Sequence, residues 1–214
     1  MFELELPPVC GLYLISPLDV GGAFPDRLVR ALDAGPVAAF QFRVKDIDQH
    51  AAAALAAPLR DICATRDVAF IVNDSISLAK RLGADGVHLG QEDGDVAEAR
   101  EALGRDAQIG VTCHGSRHLA MEAGDAGADY VAFGAYFPTT TKAVEHQAEV
   151  ELLEWWQAVF EIPCVAIGGI TPENCAPLVK AGADFLAVSG AVWNGDEAAS
   201  VIAFERAIAA AKAD

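Results

Sequence analysis

The chain has 214 residues, 53% of them hydrophobic, and carries a formal net charge of −16 at pH 7. That excess of carboxylates weighs against non-specific nucleic-acid binding and against an anionic membrane surface, and any anionic substrate must meet locally concentrated cations. A charged fraction of 21% argues against disorder, and no apolar run reaches the about 18 residues that suggest a transmembrane helix.

Eight short apolar runs follow one another, each with a helix-like stretch behind it. The first, Gly11 to Ser16, precedes a helix from Pro25 to Ala34. The second, Val37 to Val44, precedes a long alanine-rich helix from Ile47 to about Thr65, in which Pro58 predicts a kink or a restart. Ala69 to Val72 ends in Asn73-Asp74, Ser75 to Leu82 is helical, and the fourth run, Val87 to Leu89, ends in Gly90-Gln91-Glu92-Asp93. Ala97 to Leu103 is helical, Gln108 to Cys113 is a strand, and Ser116 caps a helix running to Ala126. Tyr130 to Phe137 forms the sixth strand, and a polar loop, Pro138 to Gln147, leads to the helix Glu149 to Phe160; its length and polarity fit a lid. Cys164 to Ile167 is backed by Gly168-Gly169, Thr171 caps a helix from Pro172 to Ala181, Phe185 to Val188 is the eighth strand, and a helix from about Asp196 to Ala213 closes the chain.

Strict alternation of eight strands and eight helices predicts a (β/α)8 TIM barrel of the α/β class, a single domain over residues 1–214. An open doubly wound sheet would want a GxGxxG turn after the first strand, and Ser16 to Gly22 lacks that spacing. Gly-Ala-Asp recurs at residues 83–85, 127–129 and 182–184, each time just before a strand, and reads as punctuation of the barrel's bottom face. Met1 to Pro8 has no basic n-region of a signal peptide, and five cysteines without a CxxC pair (Cys10, Cys63, Cys113, Cys164, Cys175) fit reduced, buried thiols in a cytoplasmic protein. The Trp155-Trp156 pair is expected to pack its helix on the barrel, a contact between copies in a homo-oligomer being the alternative.

Chemistry in such a barrel comes from the C-terminal ends of the strands. Asp74 and Asp93 end two strands joined by a right-handed crossover, so both carboxylates open on one side and suit a hard cation such as Mg²⁺. The alternative is that Asp74 caps the helix near Ser75 and Asp93 the one near Asp95. Gln41, Arg43 and Lys45 alternate along the second strand and so share one face. Asn73, Thr112, His114 and the loop Thr139-Thr140-Thr141-Lys142 join them. Gly168-Gly169 and Val188-Ser189-Gly190 form the glycine turns that cradle phosphate in these barrels. Two anion sites, cations and a metal pair without a convincing nucleophile suit displacement of a diphosphate by a second phosphorylated ligand.

The motifs QFRVK, VND, DGVHLGQED, GADYVAFGAYFPTTTK, VAIGGI and AVSGA, in this order over nearly the whole chain, resemble the thiamine phosphate synthase family. The resemblance implies a Mg²⁺-dependent transferase that joins hydroxymethylpyrimidine diphosphate to thiazole phosphate by a dissociative substitution. It implies that Gln41, Arg43, Lys45, Asn73 and Lys142 hold the pyrimidine diphosphate, that Thr112 hydrogen-bonds there, and that Asp74 and Asp93 bind Mg²⁺. Thr139, Thr141, Gly169, Val188 and Ser189 would hold the thiazole phosphate, Thr140 and Gly168 would also line the substrate site, and Arg43, Lys45, Lys142 and Thr112 would assist departure of the diphosphate. The chain departs from the family pattern with Thr112 for Ser, Ala135 for Pro, Ala143-Val144 after Lys142, and Gly190 before Ala191. A thiazole tautomerase with His114 as acid–base group, or a non-catalytic barrel that senses phosphate esters, are the other readings.

Overall fold

The structure, a computed structural model, describes residues 10–139 and 147–213. Thr140, Thr141 and Lys142 lie outside them. Eight parallel strands close into one barrel in sequence order: β1 (Gly11–Ile15), β2 (Ala39–Phe42), β3 (Ala69–Asn73), β4 (Gly86–Leu89), β5 (Gln108–His114), β6 (Tyr130–Phe133), β7 (Cys164–Ile167) and β8 (Phe185–Val188). Between and after them lie α1 (Phe24–Asp33), α2 (Gln49–Ala64), α3 (Ile76–Leu82), α4 (Val96–Leu103), α5 (Arg117–Asp125), α6 (Glu151–Val159), α7 (Ala176–Lys180), α8 (Gly190–Trp193) and α9 (Glu197–Ala213). This is the TIM-barrel fold expected from the alternation.

Period-two burial divides the strands into two cores. Residues such as Leu12, Phe40, Phe70 and Ile109 point outward and join the helices in one large cluster. Tyr13, Ile15, Ile71, Tyr130, Ala132, Val165 and Ala187 fill the barrel's interior. Gly110 on β5 is required by that interior, since a Cβ there would overlap the ring of Tyr130.

The lower rim is held by the repeated Gly-Ala-Asp. The carboxylates of Asp85, Asp129 and Asp184 accept hydrogen bonds from the amides of Phe70 at 2.7 Å, Ile109 at 2.7 Å and Cys164 at 2.8 Å. Each aspartate thus ties the start of the preceding odd-numbered strand to the turn before the next. Asp48, Ser75, Asp95 and Ser116 cap α2, α3, α4 and α5 through their side chains.

Helix α2 runs through Pro58 without a restart. Three expectations differ. Strand β6 ends at Phe133, and the chain then follows the β7 turn through Tyr136 N–H to Ile167 O and Phe137 N–H to Gly168 O. Helix α7 starts only at Ala176, because the Asn174 side chain accepts from Thr171 N–H and donates to Gly169 O, folding residues 172–174 into a turn. The four-residue α8 was not anticipated; the Trp193 indole donates to Ile15 O at 2.7 Å and docks it over β1. All five cysteines are free and buried. Trp156 is fully buried against Phe133 and Phe160, and Trp155 lies under the Arg117 guanidinium, so the helix packs on the barrel as expected. Among the described residues no helix is long and apolar enough to cross a membrane.

Candidate active site

The C-terminal mouth gathers most of the polar groups expected there. Strand β2 stops at Phe42, so Arg43 and Lys45 lie on the loop after it and do not share a strand face with Gln41. The physical reason is Ser16, which follows β1: its buried hydroxyl accepts from Arg43 N–H at 2.9 Å and donates to Arg43 O at 3.0 Å, taking both groups that a ladder would use. Arg43 is half-buried and Lys45 exposed.

Neither aspartate is a cap. Ser75 and Asp95 fill those positions, which leaves the two carboxylates for other work. Asp74 sits at φ 65°, in the left-handed region that aspartate tolerates better than most residues, and its N–H extends the ladder to His88 O. Asp93 accepts from Gly90 N–H at 3.0 Å, which fixes the turn after β4. Burial, then the charge of Asp93 and a hydrogen bond with it, raise the Asp74 carboxyl to about 6, while Lys45 and Arg43 pull it down. The four side chains therefore share one electrostatic neighbourhood. Asn73, half-buried, adjoins them at the end of β3.

The described residues contain no cluster of three or more His, Cys, Asp or Glu side chains that could hold a metal. Two carboxylates fit the chemistry of Mg²⁺, which usually takes one or two from a protein and completes its shell with water and substrate phosphate.

Gln41 lies inside the barrel, 4% exposed, and donates from Nε2 to the Tyr13 hydroxyl. Thr112 points inward on β5, half-buried, with its hydroxyl 2.8 Å from His88 Nε2. Gln91 donates to Thr112 O at 2.6 Å, and the β5–β6 register shifts between Thr112 and His114. His114 ends β5 half-buried at φ 52°.

Across the mouth, Gly168 and Gly169 have φ 103° and 63°, and a Cβ on Gly169 would meet the carbonyl oxygens of Pro138 and Phe137. Glycine is thus needed twice over, for conformation and for the close approach of the sixth loop. A cavity of about 310 Å³ beside it is lined by Ala135, Phe137, Pro138, Thr139 and Gln147 among the described residues. Val188 is buried, and the Ser189 hydroxyl is 3.4 Å from Ser16 O. The turn with the additional Gly190 becomes α8, in which Val192 N–H and Trp193 N–H both donate to Ser189 O. Ser16, Gln91 and Trp193 were missed by sequence reasoning. A polar or aromatic residue just past a strand end was the available signal.

A closed parallel barrel with cations, carboxylates and glycine turns at its C-terminal mouth defines a TIM-barrel enzyme. The family described as thiamine monophosphate synthase, TMP-TENI, matches residues 12–192. A thiamine-phosphate synthase of Erythrobacter litoralis (strain HTCC2594) is 72% identical, covering 99% of this chain and 100% of its own. Another, of Rhodospirillum centenum (strain ATCC 51521 / SW), is 56% identical over 92% of this chain and 97% of its own. The solved thiamine phosphate pyrophosphorylase of Pyrococcus furiosus superposes with a TM-score of 0.84 at 29% identity, covering 95% of this chain and 98% of that one. The chain belongs to the thiamine monophosphate synthase family and is a transferase of thiamine biosynthesis.

Proposed function

We propose that the protein couples hydroxymethylpyrimidine diphosphate with thiazole phosphate, releasing diphosphate and thiamine phosphate by a dissociative substitution in the cytoplasm. The observation that carries this reading is the grouping of Arg43 and Lys45 with Asp74 and Asp93, close enough for all three neighbours to move the Asp74 carboxyl. Asp74 and Asp93 would hold Mg²⁺, which supplies positive charge against the departing diphosphate. Arg43 and Lys45, with Lys142 from the sixth loop, neutralise the same leaving group. Gln41, Asn73 and Thr112 orient the pyrimidine part, which lets the bond to diphosphate break before the thiazole nitrogen attacks. Thr139, Thr140, Thr141, Gly168, Gly169, Val188 and Ser189 hold the thiazole phosphate, supported by the left-handed glycines and the cavity beside Thr139.

No side chain is asked to act as a nucleophile. Burial pushes the thiols of Cys10, Cys63, Cys113 and Cys164 up to about 12 and raises Cys175 as well, so none offers a thiolate near neutral pH. The test is a coupling assay with both substrates and Mg²⁺, following thiamine phosphate by thiochrome fluorescence, with an EDTA control. Metal-dependent product supports the reading. No product from folded protein overturns it, and isomerisation of the thiazole without metal would identify a tautomerase in its place.

A further inference from the structure

A chain of hydrogen bonds crosses the barrel's interior and joins two of the proposed substrate-binding residues. Gln41 Nε2 donates to the Tyr13 hydroxyl at 3.0 Å, which lies 3.0 Å from the Tyr130 hydroxyl. Tyr130 is in turn 3.1 Å from His88 Nδ1, and His88 Nε2 is 2.8 Å from Thr112 Oγ1. The five groups come from β2, β1, β6, β4 and β5, and Tyr13, Gln41, His88 and Tyr130 are each under a tenth exposed. His88 also stacks on Tyr130, ring centroids 5.6 Å apart.

The chain has a direction. Each phenol has one hydrogen, and a buried hydroxyl left without a partner is costly. Tyr13 accepts from Gln41, so its hydrogen goes to Tyr130, the other polar neighbour it has among the described residues. Tyr130 has already accepted and donates to His88 Nδ1. An imidazole that accepts at one ring nitrogen carries its proton on the other. With Nδ1 accepting, the ring proton sits on Nε2 and is donated to Thr112 Oγ1. The Thr112 oxygen is thereby occupied on the inner side, and its hydrogen is left to turn toward the mouth.

We propose that His88 is a positioning residue whose Nε2–H, fixed by the Tyr130–Tyr13–Gln41 chain, makes the Thr112 hydroxyl a donor toward an acceptor atom of the bound substrate. The proposal rests on the coupling function above and specifies what Thr112 does in it. Thr112 can donate its one hydrogen to a pyrimidine ring nitrogen or a diphosphate oxygen, because His88 supplies a hydrogen to Thr112 Oγ1 and does not compete for the one it carries. Tyr13, Tyr130 and His88 touch no substrate through this role; they carry the polarity from Gln41 at one end to Thr112 at the other.

Two measurements test it. In the unliganded protein carrying ¹⁵N-labelled histidine, the His88 ring is expected to show its proton on Nε2, with Tyr130→Phe mixing the two forms. A proton on Nδ1 overturns the proposal whatever the enzyme's activity. In the coupling assay, a folded wild type without product counts against the coupling function and leaves the imidazole result standing. Given turnover, His88→Leu is expected to lower kcat/KM by about tenfold, the worth of one hydrogen bond. Thr112→Val should lower it by a similar factor, and the double variant should be no worse than either. His88→Gln, which keeps a donor in the Nε2 position, should restore most of the loss. Undiminished turnover in folded His88→Leu, additive losses in the double variant, or no rescue by glutamine would each overturn the assignment.

Discussion

Asp74 and Asp93, on the turns after adjacent strands, lie near enough that, on top of burial, the charge of Asp93 helps lift the Asp74 carboxyl to about 6. Two carboxylates that raise one another's cost of ionisation are poised to be relieved by a shared cation. Asp93→Ala is expected to lower turnover by about a hundredfold or more, on the scale of losing one preorganised charge-stabilising group. It removes one turn hydrogen bond, to Gly90, so the fold should survive. Circular dichroism with calorimetric Mg²⁺ titration in the presence of diphosphate checks both halves, and full activity in Asp93→Ala would remove the metal assignment.

Stability below neutral pH should carry the mark of His88. Burial lowers its pKa from 6.5 to about 4, so the unfolded chain binds a proton that the folded one refuses. Its contribution is complete above about 6.5, declines as the pH falls, and is lost on passing about 4, some 3 kcal/mol in all. Asp74 has the opposite sign, because its raised pKa favours the folded state only while protonated, and that contribution is lost as the pH rises through about 6. The two overlap, so the His88 part is the difference between the melting temperatures of wild type and His88→Gln across this range. A difference independent of pH would exclude it.

Glu197, 4% exposed, is paired with Arg27 at 3.0 Å and Arg30 at 2.6 Å, and Arg27 also donates to Trp193 O at 2.7 Å. The cluster anchors α8 from below. Glu197→Ala removes two ion pairs whose arginines are themselves partly exposed and should cost about 1 to 2 kcal/mol, seen in urea unfolding. Because α8 carries the turn proposed for the thiazole phosphate, KM for that substrate should rise more than KM for the diphosphate.

The Tyr136 hydroxyl is buried with no hydrogen-bond partner among the described residues. A stranded polar atom costs about 1 kcal/mol or more, and its removal leaves the ring in place. Tyr136→Phe is expected to raise the melting temperature by a few degrees. A lower melting temperature would mean that the hydroxyl does bond in solution.

The barrel was legible because period-two apolar runs and helix punctuation repeat eight times, and local pattern decides both. What escaped depends on closure. Tyr13 and Tyr130 are 117 residues apart in sequence, and their contact exists only because β1 and β6 face each other across the interior. Strand alternation put both on inward faces, and Gly110 opposite Tyr130 was the one local sign that something large crosses there. Arg43 and Lys45 were placed at the right edge but on a strand that Ser16 cuts short. The four residues of α8 are too few to show a helical period, and α7 was overextended because the Asn174 turn competes with the helix. The crossover rule put Asp74 and Asp93 on one side and the other polar strand ends favoured them over caps; the cap alternative fails because a serine and another aspartate stand one or two positions nearer the helices.

The aspartates before β4, β6 and β8 bind β3–β4, β5–β6 and β7–β8 into staples at the lower rim, and residue 38, the matching position before β2, is an alanine. The β1–β2 pair is the unstapled quarter. It is fastened instead at the opposite end, where Ser16 grips Arg43 and Trp193 grips Ile15. The ring is therefore laced shut at the mouth, through the backbone of the same Arg43 whose side chain is proposed to meet the diphosphate.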